Sequence, residues 1–121
     1  MLYAILCYHD EAVVDSWTKE KDDAVIAKRA MVRNKLAADG KLGPVARLMS
    51  TSAATTVRTG GEPLVIDGPF AETKEQLLGV YVVDCASREE AVAVARRLGG
   101  EEKGAFEIRP IRWYTPGSGV T

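Results

Sequence analysis

The stretch Leu78-Gly79-Val80-Tyr81-Val82-Val83-Asp84-Cys85-Ala86-Ser87-Arg88-Glu89-Glu90 decides the fold, because it joins a strand to a helix. Its first eight residues are almost continuously apolar, which is typical of a buried strand. Ser87 to Glu90 matches the capping box, in which a serine and a glutamate satisfy backbone amides at the start of a helix. Gly99-Gly100 ends that helix. The apolar residues between these signals recur at helical spacing: Ala91, Val94, Ala95 and Leu98.

An earlier strand and helix precede this unit. Leu2 to Tyr8 is a continuous apolar run, which predicts a central strand. A loop at 9–15 follows. Residues from about 16 to 38 contain neither Gly nor Pro, and Gly40 is a stop signal, so we expect one long helix. Two stripes of this helix are candidates for its packed face: Ala27, Ala30, Met31, Asn34 and Ala38, or Val25, Val32 and Leu36.

The remaining segments are short and strand-like. A second strand is predicted at 41–49, and a β-hairpin at 55–58 and 63–66 around Gly60-Gly61. A last strand includes residues 106–109. This order predicts an α+β fold with a ferredoxin-like antiparallel sheet and two helices on one face.

Chain direction in this fold predicts where polar residues gather. We expect the first strand and the 78–85 strand to be parallel neighbours. That arrangement places Tyr8, His9, Asp10 and Asp84 at one end of the sheet. The turn at 67–75 lies at the other end, together with a group of arginines: Arg29, Arg33, Arg109 and Arg112.

The turn Ile66-Asp67-Gly68-Pro69-Phe70-Ala71-Glu72-Thr73-Lys74-Glu75 is rich in charged groups. Gly68 and Pro69 end the preceding strand, since glycine permits unusual φ angles and proline lacks an N–H donor. Asp67 and Glu72 are candidate proton carriers in catalysis, and Lys74 is a candidate anion ligand. The alternative is a structural turn in which Asp67 caps the backbone and Lys74 is solvated.

This motif resembles that of the DGPF group of YCII-related proteins, which is named for the residues found here at 67–70. The resemblance implies a YCII-related domain over residues 1–114, followed by a loose tail at 115–121. It also implies a homodimer of the dimeric α/β-barrel type. YCII-related proteins carry a proposed catalytic His and Asp on the long helix, and alignment puts Arg29 and Ala38 at those positions. The absence of this His and Asp pair weakens the case for an enzyme and leaves a binding role intact.

Two functions are therefore considered, and a purely structural dimer module is the third possibility if the side chains of Asp67 and Glu72 are fully exposed. The first is a small dimeric protein that binds an anionic or polar ligand, with a regulatory link to sigma factors implied by the resemblance alone. The second is a cofactor-independent isomerase or lyase that uses Asp67 or Glu72 as the acid or base. The residues predicted to line the pocket are Asp67, Phe70, Glu72, Lys74, Arg29 and Arg109.

The dimer contact is expected to include Trp113 and Tyr3. Aromatic side chains are enriched at protein interfaces, where they bury large areas.

The composition argues against several other classes of protein. The 121 residues form one domain, and 16 basic residues nearly cancel 17 acidic ones, which argues against direct binding to nucleic acid. The chain shows no apolar run of about 20 residues and no signal segment, so we expect a cytoplasmic protein that does not enter membranes. His9 is the only histidine and is expected in a solvated loop, so neither a metal nor a cofactor is predicted. Cys7 and Cys85 are expected to be buried thiols.

Overall fold

The computed structural model describes residues 1–120 and contains six strands and three helices. In chain order these are β1 (Leu2–His9), α1 (Glu11–Asp15), α2 (Lys19–Ala38), β2 (Leu42–Arg47), β3 (Thr55–Arg58), β4 (Leu64–Asp67), β5 (Gln76–Asp84), α3 (Arg88–Gly99) and β6 (Ala105–Pro110). A 3₁₀ turn, Thr51–Ala53, precedes β3. The predicted tail contains no helix or strand over 115–120, and Thr121 lies outside the described residues.

The long helix starts later than the sequence suggested. Its N-cap is Thr18, whose side chain accepts a hydrogen bond from the backbone N–H of Lys21. The segment predicted as a loop contains α1, which is capped by Asp10. After this short helix the chain places Trp17 against His9 at the end of β1.

Four strands form one antiparallel sheet in the order β2-β5-β1-β6. The predicted parallel pairing of β1 and β5 is wrong, because Leu2 pairs with Asp84 and His9 pairs with Gln76 in antiparallel register. The crossover through α2 places β2 parallel to β1 but not beside it, and β5 fills the gap. The α+β class is confirmed, and the strand order is compatible with the ferredoxin-like fold.

The core lies between the sheet and the two longer helices. Alternate residues of β1 and β5 point toward the helices, and Ile5 and Val83 are completely buried. Leu98 on α3 is 1% exposed. The predicted apolar face of α3 is confirmed in full, because its four members are all buried: Ala91, Val94, Ala95 and Leu98.

The structure decides which stripe of α2 meets the sheet. Leu36 is buried and Val32 packs against the core, whereas Met31 of the other stripe is 73% exposed. Val25 lies on the same inward stripe and contributes to a cavity described below. The helix therefore packs through its narrower apolar stripe.

The start of α3 is tied to the loop before β2. Ser87 accepts a hydrogen bond from the backbone N–H of Glu90, as the capping box predicts. The Glu90 carboxylate accepts from the N–H of Ala86 and from Lys41 Nζ at 2.6 Å. The hydrogen bond from Lys41 lowers the pKa of Glu90, and the same bond raises the pKa of Lys41.

The predicted hairpin is confirmed as a separate two-stranded sheet of β3 and β4. Gly60 in its loop has φ of 85°, a conformation that favours glycine. Strand β4 delivers Asp67 to the turn that leads into β5. Within residues 1–120, no helix has the length and apolar character needed to cross a membrane.

The two cysteines lie near opposite ends of the central strands. Cys7 pairs with Gly79, whereas Cys85 follows the Leu2–Asp84 pair. Both are buried thiols and neither forms a disulfide, as predicted.

Candidate functional site

A cavity of about 110 Å³ lies between α2 and the helix-facing side of the sheet. It is found near the end of β1, below the loop that precedes α2. Its volume is well below the several hundred Å³ of a drug-sized pocket and closer to an apolar cavity of about 150 Å³ that takes benzene in another protein. A ligand in it has to be small. Its apolar wall comes from both layers and the loop: Cys7, Trp17, Val25, Val45, Tyr81 and Phe106.

Gly79 forms part of the cavity floor. It lies opposite Cys7 and two residues before buried Tyr81, so a side chain there would point toward the helices. A Cβ atom would lie 3.2 Å from the carbonyl oxygen of Ala46 and 3.8 Å from Cβ of Cys7. Glycine inside a strand often marks the close approach of another group. Here it leaves room above the sheet.

Two arginines on α2 line the cavity, one helical turn apart. Arg29 and Arg33 are partly buried, and neither forms an ion pair with a carboxylate in residues 1–120. Arg29 Nε donates to the carbonyl oxygen of Leu98 at 3.3 Å. Its guanidinium carbon lies 5.9 Å from the ring centroid of Phe106. Two positive charges therefore border an apolar space without local neutralisation.

The other charged groups near the cavity are paired. Asp22, one of its lining residues, accepts from Arg47 at 3.0 Å and ties α2 to β2. Lys21 and Glu102 form an ion pair of 2.9 Å that ties α2 to the loop before β6. Lys21 Nζ also lies 5.4 Å from the ring centroid of Trp17. Because these side chains are partly exposed, the two pairs form a polar rim.

Cys7 is a poor candidate for a nucleophile. Burial raises the pKa of its thiol to about 11, although the nearby Arg29 cation acts in the opposite direction. The thiolate is the nucleophilic form, so Cys7 remains an unreactive thiol at neutral pH. Its role in the wall is that of a small apolar side chain.

His9 lies at the end of the cavity and is not a solvated loop residue as predicted. It is partly buried and its ring meets Trp17 edge-on, with centroids 5.7 Å apart and an interplanar angle of 85°. Nδ1 lies 3.2 Å from the carbonyl oxygen of Asp10. Nε2 is buried and has no hydrogen-bond partner in the described part of the chain.

The turn at 67–75 lies outside this cavity. Asp67 and Glu72 border a separate, open hollow of about 400 Å³, and no residue lines both spaces. The side chains of Asp67, Glu72 and Lys74 are exposed, and Phe70 is 75% exposed. This exposure favours the structural interpretation of the turn.

Hydrogen bonds connect this turn to the corner after β1. Gln76 Oε1 accepts from the backbone N–H of Glu11 at 2.9 Å, and Gln76 Nε2 donates to the carbonyl oxygen of Thr73. The Glu11 carboxylate accepts from the N–H of Thr51 at 2.8 Å and from its hydroxyl group. These hydrogen bonds therefore fix the turn against the start of α1, two residues after His9.

The expected cluster of arginines beside the turn does not form. Because β5 runs antiparallel to β1, the turn before β5 lies at the His9 end of the sheet, whereas Arg109 pairs with Ala4 near the other end. Its side chain contacts Glu107, with Nε to Oε2 at 3.2 Å. Arg29 and Arg33 face the cavity instead. The structure thus brings Asp67 and Glu72 to one hollow and separates them from Arg29 and Arg109.

Sequence reasoning missed His9, and it placed Arg29 and Arg33 beside the turn at 67–75 and not at this cavity. A signal was present for both. His9 continues the odd-numbered, helix-facing positions of β1, and Arg29 lies between Val25 and Val32 on the inward stripe of α2. Charged or polar residues in the middle of a core-facing pattern are candidates for a site.

The strand order and the cavity between sheet and helices define a small α+β domain of ferredoxin-like architecture. The chain belongs to the YCII-related family, because the profile of the YCII-related domain matches residues 1–115. It is also 53% identical over 120 residues to an uncharacterised protein of Rhizobium meliloti (strain 1021), with 97% of each chain covered. The family resemblance is thus confirmed, and the DGPF group remains a prediction.

Proposed function

We propose that this protein binds a small organic carboxylate in the cavity between α2 and the sheet. The observation that carries the proposal is the pair of partly buried guanidinium groups, Arg29 and Arg33, that border the cavity without a carboxylate partner. Arginine is suited to this role because its planar guanidinium binds a carboxylate through two parallel hydrogen bonds.

The rest of the wall suits the body of such a ligand. Phe106, Tyr81 and Trp17 offer aromatic surface next to the arginines. The rim pairs Asp22–Arg47 and Lys21–Glu102 already neutralise the other charges, so the surplus positive charge is concentrated at α2. A ligand with its anionic end beside the arginines and an apolar or aromatic body of at most about six heavy atoms matches this volume, by comparison with benzene-sized cavities.

The test is isothermal titration of the protein with benzoate and close analogues. We expect the double variant Arg29→Met, Arg33→Met to bind benzoate at least about tenfold more weakly than wild type, because hydrogen bonds to charged groups contribute roughly 1.5–3 kcal/mol each. Methionine keeps an unbranched, flexible stem and a similar helix propensity. The double variant Arg96→Met, Arg97→Met removes the same two charges from the exposed side of α3 and is the matched control.

Equal affinity for benzoate in the two double variants would contradict the proposal. A wild-type protein that binds none of the carboxylates would contradict it as well. Thermal unfolding of each variant shows whether a loss of binding comes from a loss of structure.

The resemblance to the DGPF group extends the proposal to a regulatory role linked to a sigma factor. In that role, binding of the carboxylate would be the event that changes the action of the protein on the sigma factor. The proposed catalytic use of Asp67 and Glu72 has less support, since both side chains are exposed in an open hollow.

We also propose a homodimer, as the resemblance implies. The face of the sheet opposite the helices carries a row of apolar side chains that are only partly buried, among them Leu6 and Val82. Trp113 is 79% exposed. Tyr3, by contrast, is 6% exposed on the helix-facing side, so it belongs to the core and not to the expected contact.

Leu6→Glu is expected to dissociate this dimer, because it places a charge in the middle of the open apolar face. Sedimentation velocity at micromolar concentration measures the change. Met31→Glu places the same charge on the exposed side of α2 and should leave association unchanged. A monomeric wild-type protein would contradict the dimer.

A further inference from the structure

The β3–β4 hairpin is exposed on both of its faces. Val57 pairs with Val65 on one face, and these residues are 60% and 65% exposed. Leu64 and Ile66 lie on the other face and are exposed as well. In residues 1–120, β3 and β4 contact each other extensively, and neither makes more than marginal contact with another helix or strand. The domain that carries the hairpin therefore does not cover it.

A hairpin of this composition needs a cover to be stable in water. An isolated pair of strands is marginally stable at best, and a further strand or a packed face is required to stabilise it. Exposed apolar side chains beside unpaired strand edges also favour aggregation. A cluster of apolar side chains at the surface marks a site of interaction when it is larger than a few scattered residues. The four apolar residues of this hairpin therefore indicate a contact surface.

The accessible surface of the chain indicates how large the contact is. The chain exposes 8669 Å², whereas a folded monomer of its mass, 13.1 kDa, exposes about 6,400 Å². The excess of about 2,300 Å² lies within the range of roughly 1,000–2,500 Å² that each partner buries in a permanent complex. A standard transient contact buries only about 800 Å² per partner. The excess surface thus favours a permanent contact.

A second copy of the chain is the partner that suits a permanent contact of this size. It is present wherever the chain is made, and in matching amount. The formal net charge of −1 gives little repulsion between two copies. The hairpin also follows β2 and precedes β5, so it is continuous with the sheet whose open face is the proposed dimer contact.

We propose that the β3–β4 hairpin is an arm that packs against a second copy of this chain. The inference rests on the homodimer proposed above and assigns the hairpin to its contact surface. In a symmetric dimer both copies use the same surface, so each arm is covered once. The face that carries Val57 and Val65 meets the partner, because it is the more exposed of the two.

The first test is sedimentation equilibrium of Val65→Glu. We expect its dimer dissociation constant to rise at least about tenfold, because the contact would then bury a charge without a partner. The domain should still fold, since Val65 lies outside the core cluster, and circular dichroism checks this. Val120→Glu makes the same change at a residue that is 92% exposed in the tail, and it should leave the dissociation constant unchanged.

The second test uses wild-type protein alone and measures hydrogen exchange by mass spectrometry. We expect the amides of the arm, residues 55–67, to exchange at least about tenfold more slowly in the dimer than in an unfolded chain, because the partner prevents opening of the hairpin. Residues 115–120 contain no helix or strand and serve as the internal reference for fast exchange.

The failure of the arm and the failure of the dimer are distinguishable. Wild-type affinity in Val65→Glu, or arm amides in the dimer that exchange as fast as those of the tail, would overturn the role of the arm and leave the dimer standing. The surface of the arm would then belong to a different partner. A monomeric wild-type protein would overturn both proposals, and slow exchange of the arm in that monomer would show that the chain itself covers it.

Discussion

Leu98→Ala is expected to lower the free energy of unfolding by about 2–5 kcal/mol, the range for removing a large buried aliphatic side chain. Leu98 is 1% exposed and belongs to the core cluster where α3 meets the sheet. The substitution removes three carbon atoms from a tightly packed site that the helix and strand backbones prevent from collapsing fully. A domain of this size is typically stable by about 5–15 kcal/mol, so the loss is a large share of the total.

Urea unfolding followed by circular dichroism measures this difference, at one fixed protein concentration because association would add to the apparent stability. Met31→Ala is the control, since Met31 is 73% exposed on α2. It should change stability by no more than about 0.5 kcal/mol. A loss below about 1 kcal/mol for Leu98→Ala would contradict the assignment of α3 to the core.

Gly79→Val is expected to abolish carboxylate binding while the domain still folds. The new side chain points from β5 toward α2, into the floor of the cavity. Valine favours strand conformation, but its Cβ lies 3.2 Å from the Ala46 carbonyl oxygen, so β2 must move by a few tenths of an ångström. We expect an added cost of about 1–3 kcal/mol in stability from this crowding.

Isothermal titration with benzoate checks the prediction, with thermal unfolding to establish that the variant is folded. Gly61→Val is the control, because a Cβ there meets nothing within 4 Å and φ is not positive. Unchanged affinity in Gly79→Val would show that the ligand binds elsewhere. The open hollow beside Asp67 and Glu72 would then be the next candidate.

The elements of the fold were largely predictable from short patterns. Ser87 and the apolar positions of α3 were identified correctly because a helix cap and a helical stripe depend on residues only three or four positions apart. The glycines at the hairpin and the apolar run of β5 were equally local signals. The start of α2 was missed by a few residues, since Ser16 and Thr18 are both suitable N-cap residues and the structure uses Thr18.

The site was predicted less well. Asp67 and Glu72 were chosen because the turn concentrates charge, yet a charged turn at the surface is well solvated and needs no partner. Arg29 was chosen by alignment with the family and does line the cavity, but its neighbours were predicted from a parallel pairing of β1 and β5 that does not occur. His9 was set aside because it is the only histidine and was expected in a solvated loop, whereas in the structure it is partly buried and contacts Trp17.

The amino-acid pattern alone specifies where strands and helices begin and which faces are apolar, because those preferences arise from neighbouring residues. Only the folded chain specifies that Met1 and Cys85, 84 positions apart, lie side by side, and that β5 runs against β1. The direction in which β5 pairs with β1 depends on burial and hydrogen bonding between distant segments. It also determines which charged groups meet, and so Arg29, Arg33 and His9 surround one cavity while Asp67 lies outside it.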